Sequence, residues 1–103
     1  MDIRKLLGCR IKELRKAQNI TQEHLAELVN IDTVSLSNIE RGKYYPTAEN
    51  LNKILLVLNV EPAELFNFQH LASHKDLLEE MISAMEDNEE LTRLIYKFFK
   101  LVK

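Results

Sequence analysis

A single cysteine, Cys9, stands in a chain of 103 residues. One thiol cannot close an intramolecular disulfide, so nothing here points to a secreted disulfide scaffold. Glycine and proline occur only twice each. That scarcity argues for helices joined by short connections. No apolar run reaches the roughly 20 residues that span a bilayer. The segment Met1-Asp2-Ile3-Arg4-Lys5 lacks the apolar core of a signal peptide, so a cytoplasmic location without membrane contact is expected.

Chemistry-bearing constellations are equally scarce. There is no Gly-rich phosphate loop, no metal-ligand cluster and no persuasive nucleophile–base pair. His70 and His74 are four residues apart, but no further ligand is spaced to complete a metal site. Cys9 falls in an amphipathic helix, where packing is expected rather than redox chemistry. The expectation is a protein that is not an enzyme and uses no cofactor or metal.

Hydrophobic residues make up 46% of the chain and charged ones 29%, an ordinary globular balance. The net charge of −2 does not by itself suggest nucleic acid. Residues 1–46 hold 8 basic and 6 acidic side chains, whereas residues 47–103 hold 6 and 10. This asymmetry is mild and carries little weight.

Apolar residues recur at helical spacing almost throughout, and no useful strand alternation is present. Ile3, Leu7, Ile11 and Leu14 mark a first helix. Leu25, Leu28 and Val29 mark a short second one capped by Thr21. Leu36 and Ile39 mark a third, opened by Asp32. Leu51, Ile54, Leu55 and Leu58 mark a fourth after Pro46-Thr47. Leu65 and Phe66 mark a fifth, with Pro62 at its first position. Asn67 to Ala72 is a connection. Ser73 opens a sixth helix with Asp76 at the capping-box position, Asp87-Asn88 ends it, and a seventh follows.

Thr21 to Gly42 carries the strongest signal. Asn30 suits a left-handed turn between the short second and third helices, and a short turn makes such helices cross steeply. Ala26 is the small residue that a close crossing needs. With Leu36 and Ile39 inward, a helical wheel turns Val34, Ser37, Asn38 and Arg41 outward, with Thr33 at the exposed start. Lys and Glu would dominate an ordinary solvated face. Short hydrogen-bonding groups are what a helix needs to lie against base edges.

The segments Arg10 to Arg15, Ile20 to Leu28, Ser37 to Lys43 and Leu58 to Phe66 together resemble the lambda-repressor-like, Cro/CI (Xre) helix-turn-helix family. The resemblance spans about residues 3–68. It implies a five-helix DNA-binding domain over 1–68; with the helical periodicity beyond it, the expectation is an all-α chain that ends in a C-terminal two-helix segment over 69–103. It also implies roles. Thr33, Val34, Ser37 and Asn38 match base-reading positions. Thr21, Gln22, Arg41, Lys43 and Tyr44 match contacts to the DNA backbone, and Gln22 also buttresses the recognition helix. Arg15 and Glu40 match a buried ion pair tying helix one to helix three. Asn30 stands where the family usually has glycine. Val34 is apolar where a polar reader is commoner, which favours a thymine methyl. At least one of Tyr44 and Tyr45 is expected to pack on the domain edge rather than to touch phosphate or sugar.

The tail places Leu77, Leu78, Met81, Ile82 and Met85 on one face of the sixth helix. Leu91, Leu94, Ile95, Phe98, Phe99, Leu101 and Val102 form a wide arc on the seventh. A two-helix hairpin covers only part of such faces. Homodimerisation is the expectation, through Leu77, Met81, Ile82, Met85, Leu91, Leu94, Ile95, Phe98, Phe99 and Val102. Docking of the tail onto its own domain is the alternative. A regulator, expected to be a repressor, would bind an operator in double-stranded DNA as that dimer. The competing class is an antitoxin or protein-interaction module whose C-terminal helices hold a protein partner.

Overall fold

The computed structural model describes residues 2–102. Among them are seven α-helices and no strand: α1 (Ile3–Ala17), α2 (Gln22–Val29), α3 (Thr33–Glu40), α4 (Ala48–Leu58), α5 (Pro62–Leu65), α6 (His74–Glu86) and α7 (Glu89–Val102). The Asn67–Ala72 connection contains one 3-10 turn, Gln69–Leu71. No helix among the described residues is long and apolar enough to cross a membrane.

Caps written into the sequence set most boundaries. Asp2, Thr21, Asp32, Thr47 and Ser73 each turn a side-chain oxygen onto a backbone N–H in the first turn of the following helix. The Asn88 side chain does the same for Leu91 N–H at 2.9 Å. Asn30 and Asn59 end α2 and α4 in the left-handed conformation, at φ 63° and 54°.

The chain divides into two units, one running to Gln69 and one beginning at His70. In the first unit a single core gathers Leu7, Ile11 and Leu14 of α1, Leu25, Ala26 and Val29 of α2, Leu36 and Ile39 of α3, Ile54 and Leu58 of α4, and Leu65 of α5. Leu28 is not part of it and is half exposed. Leu25 and Val29, one turn apart, set the inward direction of α2 and leave Leu28 outside. Cys9 is also exposed rather than packed, because Gly8 and Leu7 take the inward side of that turn.

Gly8 is where α1 and α3 approach most closely. A Cβ built there would overlap the Ile39 carbonyl oxygen and stand 2.6 Å from the Glu40 carbonyl oxygen. Both obstacles are backbone, so neither can swing away. Gly8→Ala is therefore expected to destabilise the unit by about 1–3 kcal/mol, despite alanine's better helix propensity. Urea unfolding followed by circular dichroism checks this; equal or greater stability would contradict the close approach.

In the second unit α6 and α7 pack on each other. Neither contains a fully buried residue. Leu77, Met85, Leu91 and Ile95 are half-buried. Leu78, Met81, Ile82, Leu94, Phe98, Phe99, Leu101 and Val102 are exposed.

Candidate nucleic-acid interface

The site is built on α2, the turn after it and α3. The turn closes tightly: Ile31 N–H bonds back to the Ala26 carbonyl at 3.0 Å, and Asn30 N–H to that of Glu27 at 3.1 Å. Asp32 then opens α3, accepting from Ser35 N–H at 2.7 Å and from the Ser35 hydroxyl at 3.1 Å. These bonds, the backbone one foremost, hold the Asp32 carboxyl below its ordinary pKa.

Three residues of α3 face inward: Leu36, Ile39 and Glu40. Glu40 is only 5% exposed, and Arg15 is 7% exposed. Arg15 Nε donates to Glu40 Oε2 at 2.8 Å and Nη2 donates to Oε1 at 3.0 Å, a two-pronged bond. The third guanidinium nitrogen, Nη1, donates to the Ile20 carbonyl at 2.9 Å. Gln22 Nε2 adds a bond to Glu40 Oε1 at 3.1 Å. The hydrogen bond to Glu40 raises the Arg15 pKa above its ordinary value. One carboxylate thus ties α1, the start of α2 and α3 together. No buried side-chain polar atom is left without a partner among the described residues.

On the outer side, Val34 is 69% exposed. Thr33, Ser37 and Asn38 are partly exposed beside it. The periodicity predicts a reading helix over 33–41; the helix ends at Glu40, and Arg41 is its cap. Arg41 Nη2 reaches back to Asn38 Oδ1 at 2.6 Å. Gly42 follows at φ 77°, a left-handed turn that suits glycine. A Cβ there would also meet Lys5 Cα at 2.6 Å. Lys43 N–H bonds the Asn38 carbonyl at 2.9 Å, and its ammonium lies 5.8 Å from the centre of the Tyr44 ring. Tyr44 and Tyr45 are both open, at 55% and 45% exposure, so neither is packed away on the domain edge.

Thr21, Gln22, Thr33, Val34, Ser37, Asn38, Arg41, Lys43 and Tyr44 therefore belong to consecutive elements of one helix–turn–helix–loop segment. Sequence reasoning overlooked two neighbours. Gly8 sets how near α3 lies to α1, and a glycine inside a periodic helix was its signal. Lys5 puts another exposed cation at the end of α3, and only the tertiary fold brings it there. Among the described residues no group of three His, Cys, Asp or Glu side chains gathers as a metal site would.

Two short capped helices crossing at a tight left-handed turn, the second turning short polar side chains outward, define a helix-turn-helix protein. A family model described as Helix-turn-helix matches residues 11–65, more than half of the chain. The chain belongs to this family, in its Cro/CI-like (Xre) class of DNA-binding transcriptional regulators.

Individual relatives agree. The ImmF control region 10 kDa protein of Bacillus phage phi105 is 33% identical over 57 residues, which are 55% of this chain and 63% of the phage protein. The crystal structure of the restriction-modification controller protein C.AhdI from Aeromonas hydrophila superposes with a TM-score of 0.58. It is 37% identical and covers 60% of this chain and 94% of its own. A chain of the SinR protein/SinI protein complex superposes with a TM-score of 0.59 at 25% identity, over 94% of this chain and 99% of its own.

Proposed function

We propose that this chain is a sequence-specific binder of double-stranded DNA that acts as a cytoplasmic transcriptional repressor, reading the major groove with α3 as a homodimer. The observation that carries the proposal is the outer side of α3. Thr33, Val34, Ser37 and Asn38 form a shallow face free of Lys and Glu. Behind it, the buried Arg15–Glu40 pair and Gln22 hold the helix at a fixed tilt. Short side chains let the helix axis approach base edges, and a rigid mount makes the approach repeatable.

Thr21, Gln22, Lys43 and Tyr44 flank that face and would bind phosphates. The second Nε2 hydrogen of Gln22, not used on Glu40, is a suitable donor. The exposed apolar faces of α6 and α7 would join two readers. A second reading, of those helices holding a different protein, is favoured by the same exposed faces. It is favoured too by the likeness to a chain solved in a protein–protein complex.

Base readers and phosphate clamps respond differently to substitution. Ser37→Ala is expected to cost about 1–3 kcal/mol on the selected operator and almost nothing on random duplex. Lys43→Ala is expected to weaken both and to lower the slope of log K against log salt by about one. Fluorescence-anisotropy titrations at several salt concentrations separate the two. Equal losses for Ser37→Ala on operator and random DNA would remove α3 from the reading role.

A further inference from the structure

One hydrogen bond on the α3 face alters what that face can recognise. Arg41 Nη2 donates to Asn38 Oδ1 at 2.6 Å, a short charge-assisted bond across the last turn of the helix. The backbone holds Arg41 in place as well, since its N–H bonds the Ser37 carbonyl at 3.0 Å. We propose that Arg41 and Asn38 read one base pair jointly, and that Arg41 turns Asn38 from an adenine reader into part of a guanine reader. This rests on the DNA-binding function proposed above and deepens it.

An unengaged asparagine amide presents one acceptor and one donor side by side. That pattern matches adenine, which offers the N6 amino group and the N7 acceptor in the major groove. Here one of the two lone pairs of the amide oxygen already holds a cation. An adenine amino group approaching the other lone pair would come up beside the guanidinium, a donor against a positive charge. The groups that favour an incoming base are the two Asn38 Nδ2 hydrogens and the remaining N–H groups of Arg41, all of them donors. Guanine N7 and O6 are both acceptors, so guanine is the base that complements the pair. Adenine N6 and cytosine N4 are both donors and are disfavoured. The bond also restrains a guanidinium that would otherwise sample many rotamers, so less freedom is lost on contact.

The test compares the full chain with Arg41→Met, which has similar length but no donors. Each is taken through selection from random duplex DNA and then titrated on duplexes carrying G or A at every position of the wild-type site. The wild-type chain is expected to prefer guanine over adenine by about tenfold or more at one base pair per half-site. Arg41→Met frees the Asn38 oxygen and should abolish that preference or turn it to adenine at the same position only. Asn38→Asp keeps a partner for Arg41 but replaces both N–H donors with an acceptor, and should also weaken the guanine preference. Arg41 is exposed, so wild-type melting temperatures are expected for Arg41→Met. A uniform loss on G and A duplexes, with a smaller salt slope, would make Arg41 a phosphate clamp and overturn the inference. A wild-type chain that selects no sequence at all would overturn the DNA-reading proposal itself.

Discussion

Arg15→Ala is expected to destabilise the first unit by about 3–5 kcal/mol, while Arg4→Ala leaves it almost unchanged. Both substitutions remove an arginine of α1 that is paired with a carboxylate. Their surroundings differ. The Arg4 pair with Asp2 is solvated and spans 3.4 Å. The Arg15 pair with Glu40 is closed to water, with side-chain exposures of 8% and 2%. Losing Arg15 leaves the Glu40 carboxylate buried with only the Gln22 amide for company, and it removes the donor to the Ile20 carbonyl. A buried charge stranded in this way costs far more than the pair ever contributed in net stability. A unit of this size has about 5–15 kcal/mol of total stability, so the variant stands close to unfolding at ordinary temperatures. Calorimetric or CD melting of the two variants side by side checks this. Equal melting temperatures would contradict the closed environment of the pair.

Removal of everything after Gln69 is expected to lower apparent affinity for the operator by about 10²–10⁴ while leaving the remaining unit folded. The fold should survive because every residue of the buried core lies in α1 to α5. The affinity should fall because one α3 reaches only a few base pairs. Two linked readers make the second contact intramolecular and multiply affinity without any new contact. The proposed link is through α6 and α7, where Leu94 and Phe98 are 64% and 65% exposed. Faces that apolar are normally covered. Phe98→Asp should reproduce the truncation by placing a charge in the seam. Sedimentation equilibrium combined with DNA titration gives the answer. A truncated chain that remains dimeric, or that binds as tightly as the full one, would assign the tail to another partner.

Local signals made most of the fold legible in the sequence. A cap needs only residues three apart, so Thr21, Asp32, Thr47 and Ser73 announce their helices, and Asn30 announces the turn. Burial was legible where apolar residues lie one helical turn apart, as Leu25 and Val29 do. It misled at Leu28, because an eight-residue helix carries too few turns to fix its inward direction by periodicity alone. Cys9 was misplaced for a similar reason: residue type suggested packing, while Leu7, Gly8 and Ile11 had already taken the inward side. The Arg15–Glu40 pair spans 25 residues, and no local rule connects such a pair. Only the family resemblance suggested it. The Arg41–Asn38 bond lies within one helical turn, yet it depends on the rotamer of an exposed side chain, which spacing cannot fix. The close approach at Gly8 is a property of two helices together, so the glycine hinted at it without naming the partner.

Selection of bound fragments from random duplex DNA by the full chain, followed by sequencing, tests the central proposal most directly. The expected product is a two-fold-related motif with half-sites about one helical turn apart, roughly 10–10.5 base pairs centre to centre. Its enrichment should vanish when Ser37 and Asn38 are both replaced by alanine in a chain that still melts normally. A wild-type chain that enriches no sequence, or a motif that survives the double replacement, would contradict reading of DNA by α3.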